Sequence, residues 1–287
     1  MEENFELLEG YQFNLSDFAL FLSVMKDPRA YRCVLSVFMD EPDIELQDVK
    51  VEQVVLNKSG KRAIRLDAWA KSEDNRQFNM EMQNDVRQDD LRKRSRFYQG
   101  MLDTPILKSG KETRYRMLPS TVIIFITQED IFGRDRAKYT FTEQCEEVPD
   151  LKLDDGTTKI FFNMESKNGA PELISMLSYM KDTRLNNPDI LVKDKRIVEL
   201  NDIVEEVKDS EEWEAVKMNI LEIGIEKGIE QGLQQGLQQG VQQGAEKKLL
   251  EQVEKKLKKG QTIAQIADAL EESEAKIREV VDLLQKD

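Results

Sequence analysis

The chain has 287 residues, with 56 Asp and Glu against 42 Lys and Arg, a formal net charge of -14 and no histidine. The missing histidine removes imidazole acid–base chemistry, Ser–His and Cys–His nucleophile pairs and any His-ligated metal. Chemistry must then run on carboxylates, amides, Lys/Arg or a hard metal held by oxygen, and the acidity argues against indiscriminate nucleic-acid binding while leaving room for a local basic patch.

At this length one substantial core plus a smaller appendage is expected. Met1–Gly10 has neither a basic start nor an apolar stretch, so no signal peptide is expected. Leu15–Met39 reads as one or two helices, with Pro28 opening the second. "DVKVEQVVL" (48–56) is rich in β-branched residues and reads as a strand closed by the turn "NKSG". "AIRLDAWA" (63–70) and "QFNMEMQ" (77–83) follow as two more strands, and Val86–Leu107 turns helical with a basic start. "TVIIFIT" (121–127) has the run of a buried central strand and is far too short to span a bilayer, so no membrane partner is expected. "KYTFTEQ" and "TKIFFNM" are strand-like, the turn "DDG" (154–156) lies between them, and the text after Pro171 reads as helical to about Lys217. Cys33 and Cys145 show neither metal spacing nor a disulfide framework, which fits a cytoplasmic setting.

The last part of the chain changes character. "IGIEKGIEQGLQQGLQQGVQQG" repeats every four residues, with glycine at 224, 228, 232, 236, 240 and 244. Leu, Gln and Glu favour helix, yet each interior glycine costs ~1 kcal/mol against alanine, so something must offset the array. Residues four apart drift by about 40° per step, so glycine and Leu/Ile stripes spiral together and would let a second helix approach closely. Self-association is favoured over a flexible linker. Beyond it, "KKGQTIAQIADALEESEAKIREVVDLLQ" reads as a short helical hairpin with Thr262 and Ser273 as caps. The acidic start of its second helix is unsuited to reading DNA bases, which favours packing or partner binding.

The hairpin 65–83 carries the chemistry. Strict alternation puts Ile64, Leu66, Ala68 and Ala70 on one face of the first strand and Arg65, Asp67 and Trp69 on the other. In the second strand Phe78, Met80 and Met82 oppose Asn79, Glu81 and Gln83. A tight loop centred on Asp74 pairs residues whose numbers sum to 148, which sets Asp67 opposite Glu81. Opposed Cβ atoms lie ~5 Å apart, and two charges there repel by ~3 kcal/mol at an effective dielectric near 20. Two readings are open: a solvated polar face on which water screens the pair, or a divalent-metal site that keeps waters for a phosphate substrate.

Asp67, then Glu81-Met82-Gln83, then "RKRSRFYQGMLD" (92–103), is similar to the PD-(D/E)xK nuclease superfamily. More narrowly, the chain resembles the Rpn family of recombination-promoting nucleases and putative transposases over residues 14–260, most strongly at 62–103 and 118–163. The segments "SDFALFLSVM", "TVIIFITQEDIFGRDRAKYTF", "LDDGTTKIFFN" and the glycine-repeat tail add to the likeness. The resemblance implies an α/β fold, a restriction-endonuclease-like α-β-β-β-α-β core with a mixed sheet and a C-terminal helical extension. It implies a nuclease domain over 1–217, an oligomerising Gly-repeat helix over 218–259 and a helical hairpin over 260–287.

By the same resemblance the activity is Mg²⁺-dependent endonucleolytic hydrolysis of DNA, with Mn²⁺ able to substitute. Asp67, Glu81 and the Met82 carbonyl are implied as metal ligands. Gln83 stands where the superfamily carries lysine; it can orient water but brings no charge. Arg94 is the implied source of that charge, with Arg92 and Tyr98 as phosphate contacts. Asp17 matches an acidic position on the first helix, while Leu22 stands where relatives often have lysine. The rival reading is a catalytically quiet relative that binds nucleic acid or protein.

Overall fold

In the computed structural model, residues 11–55, 63–87, 89–107 and 114–284 are described. The predicted turn "NKSG" lies outside them. The chain divides into two compact units, 1–217 and 218–287. Among the described residues no helix is long and apolar enough to cross a membrane.

The first unit opens with α1 (Phe18–Met25) and α2 (Pro28–Met39), followed by β1 (Leu46–Val55), β2 (Ile64–Ser72) and β3 (Gln77–Gln83). Proline at the first position of α2 lacks only an N–H that would be unpaired there, and Asp27 caps it by accepting from Arg29 N–H at 2.8 Å. Then come α3 (Leu91–Asp103), β4 (Thr121–Thr127), β5 (Lys138–Phe141), β6 (Thr157–Asn163), α4 (Pro171–Lys181) and α5 (Lys195–Lys208). The expected α-β-β-β-α-β order is therefore present. Helix α3 starts later than the sequence pattern suggests, because Asp90 accepts from the N–H groups of Arg92 and Lys93 and fixes the first turn there. The helical text after Pro171 is broken between α4 and α5, where "NNP" (186–188) interrupts it.

The sheet order is β1-β2-β3-β4-β6-β5. β1, β2 and β3 run antiparallel, β3, β4 and β6 parallel, and β5 antiparallel to β6. Every residue of β4 is buried, as a central parallel strand covered on both faces requires. One face packs under α1, α2, α4 and α5, with Phe38 stacked on Phe162 at 4.0 Å. The other packs under α3, around Trp69, Tyr98, Phe125 and Phe161. Brought side by side, the carboxyl ends of β3, β4 and β6 place Gln83, Thr127 and Asn163 on one edge, where open α/β sheets place their sites.

The hairpin register agrees with the patterning argument: Ala68 pairs Met80, Trp69 pairs Asn79 and Ala70 pairs Phe78. The alternation along β2 does not. Ile64 and Leu66 lie in the cluster with Trp69, whereas Ala68 and Ala70 lie in the opposite one. In β1, Val49 and Val51 likewise border one cluster and Val55 belongs to the other. The switch occurs at Glu52, whose φ of 50° is left-handed within a strand, between the pairs Val51–Ala68 and Gln53–Leu66. A single left-handed residue turns the strand over, and β2 turns with it at Asp67.

The second unit holds most of α6 (Glu211–Leu257), with α7 (Ile263–Leu270) and α8 (Glu274–Leu284). Thr262 caps α7 in a reciprocal box with Gln265, and Ser273 accepts from Lys276 N–H at 3.3 Å. Val253, Ile266, Ala267, Ile277 and Val280 form a small core of their own.

Tyr31 sits fully buried beneath the hairpin and donates its hydroxyl to Phe78 C=O at 3.2 Å, with Ala68 C=O at 3.4 Å. Tyr31→Phe removes only that oxygen and is expected to lower stability by about 1 kcal/mol. Urea unfolding monitored by circular dichroism measures it.

Candidate active site

The β2–β3 ladder opens after the Ala68–Met80 pair, and the two carboxylates take over its hydrogen bonding. Glu81 Oε1 accepts from Asp67 N–H at 3.1 Å, and Asp67 Oδ2 accepts from Met82 N–H at 3.2 Å. Each acid thus holds the other strand's backbone. Both are buried, Asp67 at 6% and Glu81 at 0% exposure, so the solvated-face reading is overturned. Asn79 also serves Glu81, donating Nδ2 to Oε1 at 2.9 Å, while its own Oδ1 is buried without a partner among the described residues.

Helix α3 supplies the opposing charge. Arg94 donates Nη2 to Glu81 Oε2 at 2.7 Å and Nη1 to Gln83 Oε1 at 3.0 Å. From the same guanidinium, Nε and Nη2 reach Tyr98 Oη at 2.9 and 2.7 Å. Its planar group lies over the rings of Tyr98 and Phe125, at 5.0 and 5.6 Å from their centroids. The i, i+4 spacing of Arg94 and Tyr98 places both on one helix face, as α-helical geometry requires. Gln83 ties β3 to the turn beyond it by donating Nε2 to Asp85 C=O at 2.7 Å.

Burial is the main cause that raises both acids. It pushes Asp67 up to about 6 and, together with the Asp67 charge, Glu81 to about 8, although Arg94 pulls each back. A pair this deep and this close is short of positive charge, since one guanidinium faces two carboxylates. Among the described residues no cluster of three or more His, Cys, Asp or Glu side chains could hold a metal. Two carboxylates, with remaining positions left to water and substrate, fit an ion of the Mg²⁺ kind.

The structure brings together Asp67, Glu81, Met82, Gln83, Arg94 and Tyr98. It does not bring in Arg92, whose side chain is exposed and leans toward Asp90 at 3.4 Å. Asp17 is engaged elsewhere, accepting from Asn14 N–H at 2.7 Å and Tyr11 Oη at 3.1 Å. Leu22 is a core residue. The Met82 group that engages the pair is its N–H. Asn79 and Phe125 belong to the site and were not legible as such. Asn79 shares the alternating face of Glu81, which was the available signal; nothing in "TVIIFIT" marks Phe125 as a guanidinium platform.

A mixed six-stranded sheet with a buried acid pair where its antiparallel hairpin opens, at the carboxyl edge of its parallel strands, defines a mixed α/β protein. A family model described as PD-(D/E)XK nuclease family transposase matches residues 34–220, more than half the chain, and the chain belongs to that family. Comparison with curated proteins and with solved structures gives no match.

Because both acids are raised in the folded state, the pair's own contribution to stability in the metal-free protein falls as pH climbs from about 4 through about 6 to about 8. Asp67→Asn keeps an acceptor for Met82 N–H and removes one charge. In EDTA at pH 8 it is expected to melt at least about 2 °C above the wild type, a gap that closes toward pH 4. Thermal melts across that range check both the sign and the convergence.

Proposed function

We propose that this protein is a divalent-metal-dependent DNA endonuclease. The observation that carries the reading is the reciprocal bridging of Asp67 and Glu81 across the opened ladder, with Arg94 on Glu81 at 2.7 Å. Asp67 and Glu81 would hold Mg²⁺ or Mn²⁺, with the Met82 carbonyl as a third ligand. The ion, when bound, supplies Lewis acidity toward a phosphoryl oxygen and lowers the pKa of water.

The chain's own groups do the rest. The Asn79 side-chain amide, through Nδ2, and Asp67 N–H fix Glu81 Oε1, so that Oε2 faces the side occupied by Arg94. Gln83 is neutral, but its amide is held at both ends, by Arg94 and by Asp85, and is thereby pre-set to orient water. Arg94 brings the charge that Gln83 lacks to the same place from a different element, and a planar guanidinium suits phosphate oxygens. Tyr98 Oη restrains it. Arg92 is exposed, with Asp90 at 3.4 Å, and would exchange that partner for the phosphate backbone.

Nicking of supercoiled plasmid in Mg²⁺ tests the reading. Asp67→Ala and Glu81→Ala are expected to abolish it, and Arg94→Ala to slow it by about a hundredfold, the usual loss for a charge-stabilising donor. Equal background nicking by wild type and all three variants would refute the proposal and favour the quiet, binding-only relative.

The Gly-repeat helix is proposed to self-associate. Ile229, Leu233, Leu237 and Val241 are 66, 73, 68 and 65% exposed along α6, a stripe that a lone helix has no reason to carry. A Cβ added at Gly232, Gly236 or Gly240 would meet nothing within 4 Å in the single chain. Alanine at these three positions is therefore expected to raise helix content in the monomer, at ~1 kcal/mol each, while weakening the oligomer. Circular dichroism with light scattering reads the two opposed effects; an unchanged oligomer would exclude close glycine packing.

A further inference from the structure

The loop after β4, residues 128–137, is locked to a degree that its position as an exposed connection does not require. The Asp130 carboxylate accepts from the N–H groups of Phe132, Arg134 and Asp135 at 2.9, 2.9 and 2.8 Å, and from Tyr139 Oη at 2.6 Å. Tyr139 Oη in turn accepts from Arg134 and Arg136 N–H at 3.3 and 3.1 Å. Gly133 and Asp135 take left-handed φ values of 62° and 49°, which fold the segment back on itself. The loop is also fastened to the one that follows β6. Ser166 Oγ donates to Asp135 at 2.8 Å, Ala137 N–H to Asn168 C=O at 3.0 Å, and Arg136 Nη1 to Asn168 Oδ1 at 3.1 Å. A Cβ on Gly169 would come within 2.9 Å of the Ala137 Cβ, so only glycine allows this closeness.

What this framework displays is charge. In a chain of net charge -14, ten of the fifteen described arginines have a carboxylate within 3.7 Å, Arg29, Arg65, Arg76, Arg184 and Arg196 among them. Arg134 and Arg136 are exposed, and among the described residues neither forms an ion pair. Two guanidiniums without an ion pair, carried on a locked backbone, suit an anion, because little backbone freedom is lost when one binds.

Their place in the sheet says which anion. Glu81 pairs Phe125, Phe125 pairs Phe161, and Phe161 pairs Tyr139, so one row crosses the sheet from the acidic pair to the tyrosine that braces the loop. Phe132 packs edge-on against Phe161 at 5.2 Å, and Arg94 lies over Phe125, which puts loop and acidic pair on the same face. Three strand spacings separate them, ~14 Å, or about four nucleotides of rise along a duplex.

We infer that the 130–136 loop is a second phosphate-backbone contact, with Arg134 and Arg136 gripping the nucleic-acid strand on the β5 side of the acidic pair. This rests on the nuclease reading and adds to it the direction in which the substrate crosses the sheet. The lower side of the same strand offers the control: Arg114 and Arg116 precede β4, whereas the loop follows it, so the strand's seven residues lie between the two sets.

Binding of a fluorescein-labelled DNA duplex is measured by anisotropy in EDTA, which prevents cleavage, across a salt series. The Arg134→Ala/Arg136→Ala double variant is expected to bind about tenfold more weakly and to reduce the salt slope by about 1.8, ~0.9 for each lost phosphate contact. Arg134→Lys/Arg136→Lys is expected to retain the slope, and Arg114→Ala/Arg116→Ala to bind within about twofold of the wild type. Wild-type affinity and slope in the first variant, or an equal loss in the last, overturns the loop assignment while leaving the nuclease reading intact. A wild-type protein that binds no duplex overturns the loop assignment, and the nuclease reading then stands or falls on the nicking assay in Mg²⁺.

Discussion

Two carboxylates buried side by side are the constraint around which the first unit is arranged. Taking one charge out of water costs several kcal/mol, and setting a second beside it adds repulsion. The surrounding structure offsets this with particular groups. The strands part after Ala68–Met80, so that backbone N–H groups otherwise committed to the ladder are available to the acids. Asn79, at 0% exposure, commits its side-chain amide to one hydrogen bond to Glu81. Helix α3 is held across β3 and β4 by Arg94 as well as by Leu91, Tyr98 and Met101.

The same constraint explains the strand reversal at Glu52. A β2 strand that alternated strictly would keep Ile64 and Leu66 on the α1–α2 face, while Asp67 and Trp69 faced α3. Turning the strand over at Asp67 instead lets Ile64 and Leu66 join the α3 cluster beyond the acid, closing apolar packing round it on that face. Burial is what raises the acids' proton affinity, so a local backbone irregularity one strand away feeds directly into the electrostatics of the pair. Irregular backbone beside a functional site is where such strain is ordinarily found.

Much of this was legible in the residues. Elements with one strong period or a run of β-branched residues, such as "TVIIFIT" and "QFNMEMQ", fell where patterning put them. The hairpin register followed from parity alone, because a one-residue slip would have mixed two chemically distinct faces. The misplaced features were those set by single residues acting against the local pattern. Asp90 delayed the start of α3 against a helical text that began at Val86, and "NNP" broke the long helix after Pro171. Glu52 adopted a backbone conformation that its residue type does not advertise. At the candidate site, the opposition of Asp67 and Glu81 followed from the hairpin's parity, while Gln83 and Arg94 came from the family resemblance and Tyr98 from its place one turn on from Arg94. Asn79 and the Asp130 loop were not legible, because their roles depend on contacts made across strands.

The charge distribution completes the argument. Where the superfamily pattern has a lysine on the strand, this chain has a neutral amide at Gln83 and a guanidinium reaching it from α3. Moving the cation from strand to helix makes it depend on helix packing: Arg94 is placed by Tyr98 and Phe125 as much as by its own backbone. A lysine on a strand would project a flexible point charge, whereas this arginine is planar, stacked and already hydrogen-bonded before any ligand arrives. Its partner in that state is Glu81, one of the two acids whose excess charge a divalent ion would relieve. The pair is therefore kept foldable by a cation that belongs to the protein, and the geometry that keeps it so is the one that holds a positive group beside the acids.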